Sequence, residues 1–168
     1  MLCVIAKLNR NATERLASLQ AFSFPGKPTP LYGHITLATY IGDDEAQFIQ
    51  FCKSFIQGIP SFPIRYHRVE VLEASSIIVA SPVKSGVLES IHQRIAAEYN
   101  HSLNSWTQSE QWYPHTTLLY APNADLHRIC CKMAASFAPF STQISRIEFS
   151  RVLESGYEII ETVELPDQ

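Results

Sequence analysis

The chain has 168 residues, 46% hydrophobic and 17% charged, with a net charge of −3 when histidine is neutral. That length suits one domain with a real core, and the acidic balance argues against the broad basic footprint that duplex nucleic acid requires. No stretch approaches the ~20 apolar residues needed to cross a bilayer.

CVIAKL, close to the start, is too short an apolar run for a secretory leader and reads as a strand. NATERLASLQAF follows with helical periodicity, with Asn11 or Thr13 as its expected cap. SFPGKPTPLYG carries three prolines and two glycines and is a loop. HITLATYI alternates as a half-buried strand, and a helix opens near Asp43 with acids in its first turn. IPSFPIRYHRVEVLEA and SSIIVASPV read as two strands, SGVLESIHQRIAAEYNHSL as the longest helix, and SWTQSEQWYP as a second loop. HTTLLY is a strand and NADLHRICCKMAASF a helix. QISRIEFSRVLES and GYEIIETVEL form a closing strand pair around Gly156. The four cysteines (Cys3, Cys52, Cys130 and Cys131) have no CxxC spacing, so reduced thiols and a cytoplasmic setting are expected.

LYGHITL and WYPHTTL place Tyr32, His34, Thr36 and Leu37 on Tyr113, His115, Thr117 and Leu118 at a shift of 81. At the same shift Val71, Leu72 and Glu73 fall on Val152, Leu153 and Glu154, while His67 falls on Glu148. The order of elements repeats as well, so the chain reads as one 1–168 domain built from two units, roughly 1–74 and 75–168. An approximate two-fold between the units sets the two motifs across a shared cleft.

Residues i and i+2 of a strand share a face, so each motif projects one imidazole and one hydroxyl together. Two such sets surround a space the size of a phosphate. One neutral imidazole takes a proton from the attacking oxygen, and one protonated imidazole gives a proton to the leaving oxygen. Thr36 and Thr117 donate to the non-bridging oxygens as their charge changes. No H-x-x-x-H or H-E-x-x-H pattern occurs, so neither a metal site nor a cofactor is expected. His67, His92, His101 and His127 have no partner at the 81 shift and are expected to be surface or core residues. Tyr32 and Tyr113, two residues before the histidines, are candidate substrate contacts by hydrogen bonding or base stacking, or else plain packing. Trp106 and Trp112 flank the second loop as a potential base platform or as loop anchors.

Paired H-x-T motifs half a chain apart, here HITLATYIG and YPHTTLLY, resemble the two-histidine phosphoesterase superfamily, which includes the RNA 2′,3′-cyclic phosphodiesterases historically called 2′-5′ RNA ligases. The resemblance implies an α+β fold of two pseudo-symmetric lobes, with antiparallel sheets around a central cleft and helices outside. It carries the catalytic pair to His34 and His115, with His115 activating water and His34 protonating the leaving oxygen, and the phosphate-holding hydroxyls to Thr36 and Thr117. The expected activity is metal-independent opening of a 2′,3′-cyclic phosphate, or a related 2′-linked phosphodiester, at a short RNA end or small nucleotide. The alternatives are an ADP-ribose cyclic phosphate or other small phosphodiester as substrate, and a non-catalytic phosphate-binding module. RNA-processing members often carry basic residues around the cleft; here Lys27, Lys84 and Arg151 are candidates only by their charge.

Overall fold

The computed structural model describes residues 1–22, 31–153 and 156–167, with every side chain among them except that of Glu73. Residues 23–30 of the first loop, which include Lys27, and Glu154 of the second VLE lie outside these residues.

Strand β1 (Leu2–Lys7) turns directly into helix α1 (Arg10–Ala17). The cap is Asn9, not Asn11 or Thr13: its backbone is still extended as it leaves the strand, and its side chain accepts from the Ala12 amide at 2.9 Å. Strand β2 (His34–Tyr40) carries the first motif, followed by α2 (Glu45–Ile56), capped by Asp44, and the long β3 (Phe62–Leu72). The second half repeats the order: β4 (Ile77–Pro82), α3 (Gly86–Tyr99), β5 (Thr116–Tyr120) and α4 (Leu126–Ser136). Leu88, Ile91, His92, Ile95 and Ala96 are the buried residues of α3, the spacing of one helix face.

QISRIEFSRVLES is not one strand. It breaks at Ser145 into β6 (Phe140–Ile144) and β7 (Arg146–Leu153), because the chain leaves one sheet there and enters the other. Strand β8 (Gly156–Glu164) follows, and Gly156 takes a φ of 136° that a side chain would resist.

All strand pairs are antiparallel, in two four-stranded sheets ordered β2-β1-β7-β8 and β5-β4-β3-β6. The sheets do not follow the sequence halves: β3 of the first half completes the second sheet, and β7 completes the first. Both motif strands are sheet edges at equivalent positions. Apolar residues of all eight strands except β8's outer end join one core with the helices, led by Leu2, Val4, Ile35, Leu37, Phe48 and Tyr66.

Strand pairing also fixes the internal symmetry. Ile5 lies between Thr36 and Glu148, and Val79 between Thr117 and Glu70. The motif strands therefore correspond at a shift of 81, β1 and β4 at 74, and β3 and β7 at 78. This corrects the VLE register: the counterpart of Glu148 is Glu70 rather than His67. The path from motif to closing strand is three residues shorter in the second half.

Candidate active site

Both motifs are shaped by the same local devices. A register shift separates Val4 from Ile5 along β1 against β2, and an equivalent one separates Ile78 from Val79 along β4 against β5. The residues set out of register are Leu37 and Leu118, the leucines that close the two motifs, and both are buried. Such bulges re-aim the neighbouring side chains of an edge strand. Ahead of them, His34 and Thr36 share one face of β2 while Ile35 is buried on the other, as the alternation required. His115 immediately precedes β5 and shares a face with the exposed Thr117, while Thr116 is buried. Among the described residues neither Thr36 nor Thr117 has a partner for its hydroxyl.

Each imidazole is held by the backbone two residues before it. His34 Nδ1 lies 2.5 Å from the Tyr32 carbonyl, and His115 Nδ1 lies 2.7 Å from the Tyr113 carbonyl. A carbonyl only accepts, so Nδ1 carries the proton and Nε2 remains for chemistry in both rings. Burial lowers both histidines below the usual imidazole value. For His34 the charges of Lys7 and His115 lower it further, against the Tyr32 carbonyl and Glu148. For His115 the Tyr113 carbonyl and Glu70 oppose burial.

The tyrosines do not aim their hydroxyls at open cleft. Tyr32 donates to Glu148 Oε2 at 2.5 Å and Tyr113 to Glu70 Oε1 at 2.5 Å. Each carboxylate is also met by an arginine two residues earlier on its strand: Arg146 Nε lies 3.1 Å from Glu148, and Arg68 Nε 3.0 Å from Glu70. Ser81 adds a 2.5 Å hydrogen bond to Glu70. Burial would raise the Glu70 carboxyl, but these donors from Ser81, Tyr113 and Arg68 hold it below the usual carboxylate value. Sequence reasoning misses the two Tyr–Glu–Arg sets. Their signal is the pair RVE (68–70) and RIE (146–148), visible only once the 78 register is known.

The two motifs are tied directly. Thr116 Oγ1 donates to the His34 carbonyl at 2.8 Å and contacts the Tyr66 hydroxyl at 2.6 Å. Trp112 Nε1 donates to the Thr36 carbonyl at 2.9 Å, which makes this tryptophan an anchor of its loop, while Trp106 stays exposed. His92 is buried; its Nδ1 lies 2.8 Å from the Leu37 carbonyl and its ring stacks on Trp112. His67 Nδ1 bonds the Ser81 carbonyl at 3.0 Å. Gly33 has no room for a side chain, since a Cβ would stand 2.3 Å from Thr13 Oγ1. Tyr157, from β8, stacks on Tyr32 at 4.8 Å and meets His34 edge-on at 5.8 Å.

Beside Tyr113 lies a cavity of about 530 Å³, lined by Arg68, Lys84, His92 and Trp112 among others and by neither catalytic candidate. Lys84 lines that cavity and pairs with Glu89 at 3.4 Å, and Arg151 is engaged with Glu45 and Glu158. No helix among the described residues is long and apolar enough to cross a membrane.

A family model described as the 2′-5′ RNA ligase superfamily matches residues 9–155. Among solved structures the chain is similar to the protein TT0787 of Thermus thermophilus (14% identity, 99% of this chain and 98% of that chain, TM-score 0.72). A protein described as a phosphoesterase is similar at 18% identity, 99% and 98% coverage and a TM-score of 0.70. Escherichia coli LigT, in a complex with 3′-AMP, is similar at 15% identity, 99% and 98% coverage and a TM-score of 0.68. At these identities the likeness is one of fold, an α+β arrangement of two antiparallel four-stranded sheets shared over nearly the whole chain. Comparison with curated proteins gives no match.

Proposed function

Because the chain belongs to the 2′-5′ RNA ligase superfamily, we propose that it is a phosphoesterase that hydrolyses a 2′,3′-cyclic phosphate, or a related 2′-linked phosphodiester, of a short RNA end or small nucleotide. The observation that carries this reading is the pair of imidazoles, each with Nδ1 tied to a carbonyl and a free threonine hydroxyl two residues on, from adjoining edge strands. A single proton shared between two such rings supplies a base and an acid at once. One Nε2 takes a proton from water as its oxygen attacks phosphorus; the bond to the leaving oxygen breaks, and the other Nε2–H gives that oxygen its proton. Thr36 and Thr117 hold the non-bridging oxygens. The fold neighbour LigT is described with 3′-AMP, a nucleotide bearing the type of phosphate that ring opening produces. The chain's acidic balance favours a short substrate over long RNA.

The protein is to be incubated in EDTA with 2′,3′-cyclic nucleotides, ADP-ribose cyclic phosphate and 2′-5′ oligoadenylates. Turnover of a cyclic nucleotide or a 2′-5′ link, undiminished by chelation, is the expected result. Turnover of the ADP-ribose compound alone would move the substrate assignment to that small phosphodiester. Tight binding without turnover of any of them would mark a phosphate-binding module.

A further inference from the structure

Resting on the phosphodiesterase reading, we propose that Lys7 makes the two histidines unequal and so fixes their roles: His34 is the base that activates water, and His115 is the acid that protonates the leaving oxygen. This reverses the assignment implied by family resemblance.

The argument is a difference of one charge between two equivalent environments. Lys7 stands opposite His34 in the β1–β2 ladder. At the 74 register of β1 and β4 its counterpart is Ser81, one residue beyond Ala80, which pairs with Thr116. The Lys7 ammonium donates to the Gly33 carbonyl at 3.1 Å and lies 3.5 Å from the centre of the Tyr32 ring, so it is held at the entrance of the first motif. The Ser81 hydroxyl is neutral and turned to Glu70.

The other charged groups match in kind, while the uncharged Tyr157 and the deeper burial of Glu148 belong to the first site alone. His34 is surrounded by Arg146, Glu148, Tyr32, Tyr157 and the ring of His115. His115 is surrounded by Arg68, Glu70, Tyr113 and the ring of His34. The Tyr32 hydroxyl is pushed up by burial and by Glu148, so it stays uncharged. Each imidazole therefore has one arginine–glutamate pair, and His34 has Lys7 as well; Lys84, in the cavity beside Tyr113, is paired with Glu89 at 3.4 Å. When the two rings hold one proton between them, that proton is driven to His115. His34 Nε2 is then free to accept the water proton as oxygen attacks phosphorus. The phosphorus–oxygen bond to the leaving group breaks, and the His115 Nε2 proton goes to the departing oxygen. Lys7 is a positioning residue for this proton, acting through His34.

Two readouts on the full chain test the assignment. The first is NMR titration of the histidine rings, assigned with His34→Gln and His115→Gln. The expected order has His34 titrating below His115; Lys7→Met moves the His34 midpoint upward and leaves that of His115, while Lys7→Arg keeps the wild-type order. The second uses a nucleotide p-nitrophenyl phosphodiester, whose leaving group needs no acid. It should bring kcat of His115→Ala to within ~10-fold of wild type while His34→Ala stays at least ~100-fold down. A His34 midpoint at or above that of His115, no upward move in Lys7→Met, or selective rescue of His34→Ala overturns the proposal. If Lys7→Met does not fold, the wild-type order decides. If no phosphodiester is hydrolysed, the functional reading fails, and the ring titrations still decide whether Lys7 separates the histidines.

Discussion

The two motif regions share a skeleton but not an electrostatic setting. Around each histidine the chain repeats a backbone carbonyl on Nδ1, a tyrosine, a carboxylate, an arginine and a bulged leucine. Around the first the carboxylate is sealed, with Glu148 only 1% exposed, and a lysine is added. Around the second the Glu70 side chain keeps 26% of its exposure, and serine takes the lysine's place. The shared geometry is set by equivalent strand pairing around the two motifs. Charge is set by single side chains, and it is the part in which the two regions differ; the proposed acid and base roles would need that difference.

The largest effect tests whether both halves take part in one reaction. His34→Ala and His115→Ala should each lower kcat by at least ~100-fold, and the double variant should fall far short of the product of the two because both serve one transition state. Wild-type turnover in either single variant would break the two-histidine account. Thr36→Val and Thr117→Val keep the branched shape and remove one donor, so each should cost roughly 10²-fold in kcat with little change in melting temperature. A melting temperature that collapses with activity would assign that hydroxyl to structure.

The carboxylates sharpen the contrast. Glu148→Gln should destabilise the protein by about 1–3 kcal/mol, the cost of disturbing a buried hydrogen-bonded charge, and Glu70→Gln, half-open to water, by less; urea titration compares them. Equal losses would mean that burial does not distinguish the two sets. The smallest effect concerns pH. Both imidazoles lie below the usual value of about 6.5, chiefly through burial. The unfolded chain therefore binds protons that the native rings refuse, and stability should fall as pH drops below about 6.5 until the native rings themselves titrate. In Lys7→Met that fall should be shallower, since the His34 value moves back towards normal.

Much of the site is legible in the sequence because its signal is local. Tyr, His and Thr at fixed spacing in an alternating strand predict which side chains share a face, and repetition of the spacing implies a pair. The Tyr–Glu–Arg sets are not legible, for the opposite reason. Glu148 and Glu70 reach their tyrosines from strands 116 and 43 residues away, and the conspicuous match of VLEAS with VLESG suggests a register three residues off. Asn9 escapes notice as a cap because the strand runs into the helix with no loop to mark the boundary. The break at Ser145 is hidden because β6 and β7 form one continuous β-prone run. Only the pairing of one with β3 and the other with β1 separates them.

The exchange of closing strands also bears on how the molecule comes to exist. β1 cannot complete its pairing until β7 is available, and Leu2 to Ala6 must find Arg151 to Ile147 across nearly the whole chain. Contacts of such sequence separation close late and fold slowly. The first half, released alone, holds β1 and β2 without β7 and β8, and a β3 with no neighbour. The second half lacks the central partners in the same way. Neither half of the chain contains a complete four-stranded sheet. His34 and His115 thus stand at the edges of sheets that each take strands from both halves of the chain, and a cut between the halves would leave both sheets incomplete.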